Sequence, residues 1–323
     1  MISRKERLFV STLPTGEFAL RCGLHVYRRV RGQSTPAGAT LVAPARAAVP
    51  AEELTGFLRR AGIEPGHAVM VHSSVVAVQR LGWSPTDFID LLLDIVGRQG
   101  TVLMPTHPVL QEFDGKQVYD PRRSPSRVGL VTELFRRRLG AVRSMYPLSS
   151  AAGLGLEAND MVRDHIHSFA PHDERSPYYK LIERRGKVLC VGVPLHRMTL
   201  IHVAEDVLRD VFPVPDFYEE ETIWLRQGAD FTPINVHRRA DWLWWYLALY
   251  KWSREILVRG FAQGSRWGDV TLHVTDAQAV FDWMKNEILC GHSLYPLANL
   301  NRYLRLPGPS FSTDGVHQKE NEA

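Results

Sequence analysis

The stretch Ala68-Val69-Met70-Val71-His72-Ser73-Ser74 decides the fold of this 323-residue chain. Its four apolar residues are typical of a short strand covered on both faces, and three polar residues follow where that strand ends. A helix over residues 85–96 and a second apolar run over residues 101–105 come next along the chain. A strand, a helix and a strand at this spacing predict a right-handed parallel unit.

Further elements extend this unit in both directions. The pattern predicts a helix over residues 51–61, a third strand over 187–193, a helix that opens at Thr199, a strand over 270–274 and a helix over 277–288. We therefore expect an α/β protein with a mixed, largely parallel central sheet flanked by helices. Ligands of open parallel sheets bind beyond the carboxyl ends of the strands. The polar residues at that edge are His72, Ser73, Ser74, Thr106 and His107.

Composition excludes several classes of protein. Hydrophobic residues make up 45% of the chain, enough for a large core, and a net charge of +4 does not indicate nucleic-acid binding. Cys22, Cys190 and Cys290 are far apart, which favours reduced thiols in a cytoplasmic protein. The sequence shows no export signal and no run of roughly 18 apolar residues, so no transmembrane span is predicted.

The aromatic run over residues 242–250 leaves a peripheral membrane contact open. A buried helix or a pocket wall is favoured instead, because interfacial helices need one continuous polar face. Residues 1–48, rich in Gly, Pro and Arg, are expected to be an extension without chemistry of its own. The main domain is expected to cover residues 49–306, and the polar residues 307–323 are expected to be a disordered tail.

Three motifs point to other chemistries, and each is weak. Residues 153–158 match a dinucleotide-binding fingerprint, but residues 149–152 make a poor strand before it. The histidines within residues 165–172 and the neighbouring Asp173 lie on a structureless loop, so no metal site is predicted. His72-Ser73-Ser74 lacks the flanking glycines of a nucleophilic serine.

Two features keep a functional and a structural interpretation open. Residues 120–129 form a turn-rich loop with three arginines before a helix start, and such a loop either binds phosphates or is simply solvated. His202 and Glu205 lie on one helical face, three residues apart. They form either a general base with its orienting carboxylate or a pair with a core or capping role.

Taken together, these segments resemble the aminoglycoside 3-N-acetyltransferase family. The motifs that carry the resemblance lie in residues 71–74, 100–106, 120–129, 140–144, 176–178 and 186–189, and in Thr199, His202, Ala204 and Glu205. The resemblance implies the antibiotic acetyltransferase fold, acetyl-CoA as cosubstrate and no metal. It also implies transfer of the acetyl group to an amine of an amino sugar, an aminoglycoside or another biosynthetic intermediate.

The same resemblance implies which residues line the CoA tunnel. They are Ser73, Ser74, Thr106, Ser126 and Gly129. Their hydroxyls and backbone N–H groups would hold pantetheine and phosphates.

The chain departs from the family pattern at the expected active-site segment, residues 143–153. The family's histidine before proline is replaced here by Tyr146, and a phenol with a pKa near ~10 is a poor base but a competent hydrogen-bond donor. We therefore predict that His202 and Glu205 form a substitute proton relay. Tyr146 is predicted to donate to substrate or thioester oxygen, and His107 and His172 are predicted to face the same crevice.

The region after Pro213 barely resembles the family's usual ending, and we expect it to determine acceptor specificity. Its aromatic residues suit stacking on sugar rings, while its acidic residues 219–221 are followed closely by arginines. Two alternatives stay open: a catalytically silent homologue that binds CoA or a partner, and a thioester hydrolase. The oligomeric state is also open.

Overall fold

Two β-sheets and their surrounding helices make up the part of the chain that the computed structural model describes, residues 13–31 and 48–305. The strands are β1 (Ala68–Ser73), β2 (Thr101–Pro105), β3 (Gln111–Phe113), β4 (Lys116–Tyr119), β5 (Val142–Arg143), β6 (Ala151–Gly155), β7 (Lys187–Val191), β8 (Tyr218–Gln227), β9 (Asp230–Arg239), β10 (Ala262–Trp267) and β11 (Val270–Asp276). A seven-stranded sheet has the order β10-β11-β7-β1-β2-β6-β5, and a four-stranded sheet has the order β3-β4-β8-β9.

Helices cover both faces of the large sheet and join its strands. The α-helices of the described residues are α1 (Pro14–Arg31), α2 (Ala51–Arg60), α3 (Val75–Arg80), α4 (Pro85–Val96), α5 (Leu130–Arg136), α6 (Ala158–Arg163), α7 (Pro177–Glu183), α8 (Val203–Val207), α9 (Leu249–Val258), α10 (Ala277–Leu289) and α11 (Asn301–Leu304). Short 3₁₀ helices lie at Asp164–His167, Leu195–Arg197, Thr199–His202, Arg209–Val211, Asp241–Tyr246 and Ala298–Leu300.

The predicted strand–helix–strand unit is present at the centre of the large sheet. β1 pairs in parallel with β2 and with β7. α4 begins after Ser84, whose Oγ accepts a hydrogen bond from the backbone N of Asp87 at 3.1 Å, and it ends at Gly97 with φ 66°. Met70 packs into the hydrophobic cluster on one side of the sheet, and Val69 and Val71 pack into the cluster on the other. Burial on both faces explains the unbroken apolar run.

The mixed sheet flanked by helices is confirmed, but its description as largely parallel was wrong. Only the β1·β2 and β1·β7 pairs are parallel, whereas β2·β6, β5·β6, β7·β11 and β10·β11 are antiparallel. The length of the connection between two strands explains one of these antiparallel pairs. The turn between β10 and β11 consists of Gly268 and Asp269, and a link of that length joins only antiparallel strands.

The four-stranded sheet is built around a long hairpin that the sequence pattern did not reveal. β8 and β9 are each 10 residues long and pair antiparallel, while β4 runs parallel to β8. The inner face of this sheet packs in a small cluster formed by Tyr119, Tyr146, Ile223, Leu225 and Val236. The hairpin lies within the region expected to determine acceptor specificity.

The aromatic run packs against an N-terminal helix, α1, within the stretch that was expected to be irregular. Glu17 of α1, only 1% exposed, accepts hydrogen bonds from the first backbone N–H groups of α9, at 3.0 Å from Leu249 and 3.3 Å from Tyr250. Phe18 stacks on Tyr246 with ring centroids 5.3 Å apart. Leu243, Trp245 and Tyr246 are buried, which confirms the buried interpretation of the run.

Among the described residues, no helix is long and apolar enough to cross a membrane. The expected disordered tail, residues 307–323, lies outside the described part of the chain, as do residues 1–12 and 32–47 of the expected extension.

Candidate active site

The carboxyl end of β1 brings polar atoms into a buried environment. His72 is 4% exposed, and its Nε2 and the Oγ of Ser73 are buried without a hydrogen-bond partner among the described residues. Burial lowers the pKa of His72 to about 4, so its ring is neutral at physiological pH. Ser74 instead caps α3, because its Oγ accepts a hydrogen bond from the backbone N of Ala77 at 3.4 Å. Ser73 is therefore the hydroxyl of this pair that remains free for a ligand.

Thr106, which was predicted to line the CoA tunnel, has hydrogen-bond partners inside the protein. Thr106 follows β2 and is fully buried, with its Oγ1 2.7 Å from the Oγ of Ser150. The Nε of Arg143 donates to the same Oγ1 at 3.0 Å, and its Nη1 donates to the carbonyl of Ser124 at 2.6 Å. These contacts bind β2 to two loops inside the protein. The hydroxyl of Thr106 is therefore used structurally rather than presented to a ligand.

The loop before α5 has backbone N–H groups and exposed arginines that could bind a phosphate. Gly129, at the start of α5, is exposed, and no side chain caps the helix there. Arg122, Arg123 and Arg127 are exposed on the same loop. Ser126 stabilises the loop locally, because its Oγ accepts a hydrogen bond from the next turn and its backbone N donates to a carboxylate oxygen of α5. Free N–H groups beside exposed cations fit the phosphates of CoA.

His172 and Asp206 form a buried pair that is 4% and 2% exposed, respectively. The Nδ1 of His172 lies 3.0 Å from Oδ2 of Asp206, and the backbone N of His172 donates to the same oxygen at 2.8 Å. The hydroxyl of Tyr218 donates to Oδ1 of Asp206 at 2.8 Å. Burial alone would raise the pKa of Asp206, but these partners and Arg239 reverse that effect and lower it. Asp206 is therefore a carboxylate at neutral pH.

His202 and Glu205 form a second pair in the same place. The Nδ1 of His202 lies 3.0 Å from Oε2 of Glu205, and Nη1 of Arg239 lies 3.4 Å from the Nε2 of His202. Glu205 is fully buried, and Oε1 has no hydrogen-bond partner among the residues described. Burial raises its pKa to about 8. Burial and the adjacent Arg239 lower the pKa of His202 well below its ordinary value.

His172 and His202, two of the three histidines predicted to face one crevice, lie side by side. The centroids of His172 and His202 are 5.8 Å apart. His107 is close enough to interact electrostatically with His172, and burial, Arg127 and this neighbour lower its pKa to about 3. Imidazoles packed next to two carboxyl groups form a cluster that can hold and move protons. Within residues 13–31 and 48–305 there is no group of three or more acidic, histidine or cysteine side chains that could hold a metal ion.

Comparison with known proteins decides the family. The family model described as aminoglycoside 3-N-acetyltransferase matches residues 70–288. The chain belongs to the aminoglycoside 3-N-acetyltransferase family. The resemblance drawn from the sequence motifs is thus confirmed.

This chain has low sequence identity to two curated members of the family. Aminoglycoside N(3)-acetyltransferase VII of Streptomyces paromomycinus is 33% identical over 189 residues, which cover 51% of this chain and 65% of the relative. Aminoglycoside N(3)-acetyltransferase IX of Micromonospora chalcea is 28% identical over 258 residues, 70% of this chain and 89% of the relative. The match therefore spans less than two thirds of the first relative.

Solved acetyltransferase structures share the fold. A structure described as AAC-IIIb binary with CoASH has a TM-score of 0.63 and 26% identity, and the match covers 75% of this chain and 98% of that one. The apoenzyme of aminoglycoside acetyltransferase AAC(3)-IVa has a TM-score of 0.62 at 22% identity, with 81% and 92% covered. The predicted antibiotic acetyltransferase-like fold is confirmed.

The segment expected to hold the active site, residues 143–153, runs from β5 to β6, and Tyr146 lies inside it. The side chain is fully buried and stacks on His165 with centroids 4.9 Å apart. Its hydroxyl donates to the carbonyl of Phe169 at 3.1 Å, and burial raises its pKa above the ordinary value. This geometry argues against the predicted donation to substrate, because the hydroxyl already has an internal partner.

Three residues of the site were missed by reasoning from the sequence: Asp206, Tyr218 and Arg239. Asp206 directly follows Glu205, and two adjacent acids at a buried helix start were a usable signal. Tyr218 and Arg239 are register partners across the β8–β9 hairpin. No pattern predicted that hairpin, so their convergence was not accessible from the sequence.

A surface cavity of about 580 Å³ lies beside the loop that carries His172. It is lined by His167, Ser168, Phe169, Asp173, Glu174, Arg175, Arg209, Asn235 and His237. Phe169 and His237 stack with ring centroids 3.8 Å apart. A stacked aromatic pair with polar groups around it suits a sugar-like molecule.

Proposed function

We propose that this family member transfers the acyl group of acetyl-CoA, or of a related acyl-CoA, to an amine of an amino sugar, an aminoglycoside or another biosynthetic intermediate. The observation that carries the proposal is the buried cluster of neutral histidines and carboxyl groups at the ligand-binding edge of the sheet. The solved relative described as binary with CoASH supports the choice of donor.

The reaction sets two requirements that the cluster can meet. A neutral amine attacks the thioester carbon, so a base must accept a proton from the amine and positive or dipolar groups must stabilise the developing oxyanion. Histidines held by acidic side chains supply candidate bases, and the guanidinium of Arg239 supplies positive charge. We propose, as the sequence indicated, that His202 and Glu205 form the proton relay, and their contact with each other and with Arg239 supports this role.

For the cosubstrate we propose that the sequence-based set, Ser73, Ser74, Thr106, Ser126 and Gly129, lines the binding site, with Ser73 as the hydroxyl still free to bind. The unpartnered Oγ of Ser73 and the uncapped start of α5 support this choice. The exposed arginines of the loop before α5 would pair with the phosphates.

We propose that residues 213–306 determine the acceptor. The β8–β9 hairpin supports this assignment, because it carries Tyr218 and Arg239 into the catalytic cluster and Asn235 and His237 into the 580 Å³ cavity. We also place the protein in the cytoplasm, where the free thiols of Cys22, Cys190 and Cys290 would stay reduced.

The test is an assay of thiol release from acetyl-CoA with a panel of amines that includes gentamicin, apramycin and glucosamine. Release above the no-amine control, with an acetylated product seen by mass spectrometry, supports the proposal. Thiol release that does not depend on amine indicates a thioester hydrolase. Binding of CoA without turnover on any amine indicates a silent homologue, and either of these results refutes the transferase.

A further inference from the structure

We propose that the acceptor is an acidic amino sugar, an amine that also carries a phosphate or a carboxylate, and that Arg175 binds this anionic group in the cavity of about 580 Å³. The inference deepens the proposed function and rests on it. It narrows the acceptor to a class unlike the aminoglycosides for which the related enzymes are named, since those carry several amines and no acid.

The cavity contains a guanidinium that has no acidic partner. Arg175 is exposed in the cavity wall, and its Nη1 donates to the carbonyl of His167, an uncharged group. No carboxylate of the described residues forms an ion pair with it, whereas Arg209 in the same wall pairs with Glu174 at 3.3 Å. A guanidinium presents five N–H donors in a plane that matches a phosphate or a carboxylate. Most donors of Arg175 are therefore free for a ligand.

The carboxyl groups of the cavity are already bonded within the protein. Asp173 is only 3% exposed and accepts hydrogen bonds from the Oγ of Ser168 at 2.6 Å and from the backbone N of Phe169 at 2.7 Å. Glu174 is held by Arg209. An extra ammonium group of the acceptor would have to displace a backbone N–H group or an arginine. The lining therefore favours an anion over a cation.

An aromatic wall stands beside these charges. Phe169 and His237 stack in the cavity, and the guanidinium carbon of Arg209 lies 5.4 Å from the centroid of the Phe169 ring. Aromatic rings pack against the apolar C–H surface of a sugar, while cations bind its charged substituent. The cavity thus combines the two kinds of contact that a charged sugar needs.

Strand β9 connects this cavity to the proposed relay. Asn235, His237 and Arg239 alternate along β9, so their side chains project from one face of the sheet, with alternate residues about 6.8 Å apart. Asn235 and His237 line the cavity, and Nη1 of Arg239 lies 3.4 Å from Nε2 of His202. The side chains of His202 and Arg239 are 17% and 24% exposed. An acceptor anchored at Arg175 can therefore extend along β9 towards His202.

Arg239 adds to the selection at the reacting end. Its one carboxylate partner among the described residues is Glu205, with Nε 3.5 Å from Oε2, whereas the neighbouring Arg238 pairs with three carboxylates. A guanidinium beside His202 repels ammonium groups and favours the neutral form of the attacking amine, which is the form that reacts. Positive charge thus lies at both ends of the path along β9.

The test uses four amino sugars that differ only at carbon 6. This carbon carries a hydroxyl in glucosamine, a phosphate in glucosamine 6-phosphate, a carboxylate in glucosaminuronic acid and an amine in 2,6-diamino-2,6-dideoxyglucose. The measurement is kcat/KM for thiol release from saturating acetyl-CoA. We expect at least one acidic sugar to exceed glucosamine by about 10–100-fold, as one charge-assisted hydrogen-bonded pair allows, and the diamino sugar to be the poorest. The ranking of the two acidic sugars shows whether the site selects phosphate or carboxylate.

Variants of Arg175 assign the preference to the cavity. Arg175→Gln should lower kcat/KM for the preferred acidic sugar about 10-fold more than for glucosamine, mainly through KM. Arg175→Glu should make the diamino sugar a better acceptor than the acidic ones. Arg98→Gln is the matched control, because Arg98 is exposed just before β2, at the opposite edge of the sheet, and it should leave all four values unchanged.

Calorimetric binding of the acidic sugars to the CoA-bound protein separates this inference from the proposed function. Binding that is lost in Arg175→Gln, without turnover of any amine, supports the acidic-sugar site and overturns the transferase. Transfer that is fastest to gentamicin or the diamino sugar, or equal for all four sugars, overturns the acidic acceptor alone. An acidic preference that survives in Arg175→Gln overturns the role of Arg175. Neither binding nor transfer with any amine overturns both proposals.

Discussion

Removal of one oxygen atom, by Tyr146→Phe, distinguishes a catalytic phenol from a structural one. The hydroxyl donates to the carbonyl of Phe169 at 3.1 Å, and the same carbonyl lies 3.1 Å from the Nδ1 of His237. The carbonyl therefore keeps one partner when the hydroxyl is removed. The ring stays buried against His165, so its apolar contribution is unchanged. One hydrogen bond in such a place contributes about 1 kcal/mol, and the free energy of unfolding should fall by that amount or less.

Measurement of kcat and KM for Tyr146→Phe tests a catalytic role of the hydroxyl more directly than stability does. A donor to the oxyanion of a tetrahedral intermediate contributes about 10²–10³-fold to kcat, whereas a hydroxyl bound to an internal carbonyl contributes nothing to it. We expect kcat and KM to stay within about twofold of wild type, with the stability change measured by urea unfolding. Tyr119→Phe is the matched control, because its hydroxyl also donates to a backbone carbonyl, that of Ser144 at 2.7 Å. A hundredfold loss of kcat in Tyr146→Phe at unchanged stability would refute the structural role.

Three further predictions follow from local geometry. Gly192 has φ +62° and an added Cβ would lie 2.1 Å from the Cβ of Ala77, so Gly192→Ala should lower the free energy of unfolding by more than about 2 kcal/mol. Gly115→Ala, at φ +67° with open space around it, should lower it by only about 1 kcal/mol in the same denaturation assay. Burial raises the pKa of Glu205 from 4.5 to about 8, so its contribution to stability is present below pH 4.5 and is lost as the pH rises through 8. Glu205→Gln should flatten the unfolding free energy over that window. Glu17→Ala removes the acceptor for two N–H groups of α9 and should lower the unfolding free energy by about 2 kcal/mol without changing kcat, as thermal unfolding and thiol release will show.

The sequence predicted the elements whose burial is carried by large apolar side chains. β1, α4 and β2 lie where the pattern placed them, since both faces of β1 are covered and proline or glycine marks the helix ends. β6 was missed because it consists of small residues. Their size has a reason in the packing, because a Cβ on Gly153 would lie 2.9 Å from the Cδ2 of Leu103 on the neighbouring strand. Because close packing leaves room only for small side chains, the sequence of such a strand contains few large apolar residues and is hard to recognise.

The hairpin of β8 and β9 was missed for the opposite reason. The first strand carries the acidic residues 219–221, and Pro233 lies within the second strand. Neither strand shows a clear alternation of apolar and polar residues, which is the usual signal. The pairing is specified by long-range contacts with β4 and with the loop around Tyr146, and such contacts are not encoded in any local window.

The position of His172 depends on a loop that the sequence left structureless. Asp173, next to His172, accepts hydrogen bonds from the Oγ of Ser168 at 2.6 Å, from the backbone N of Phe169 at 2.7 Å and from the backbone N of Arg175 at 3.0 Å. These bonds close the loop on itself, and Asp206 then ties it to α8 through His172. A loop rarely holds a side chain in one position unless its backbone is bonded internally. Tyr146 supports the same loop, because its hydroxyl donates to the carbonyl of Phe169.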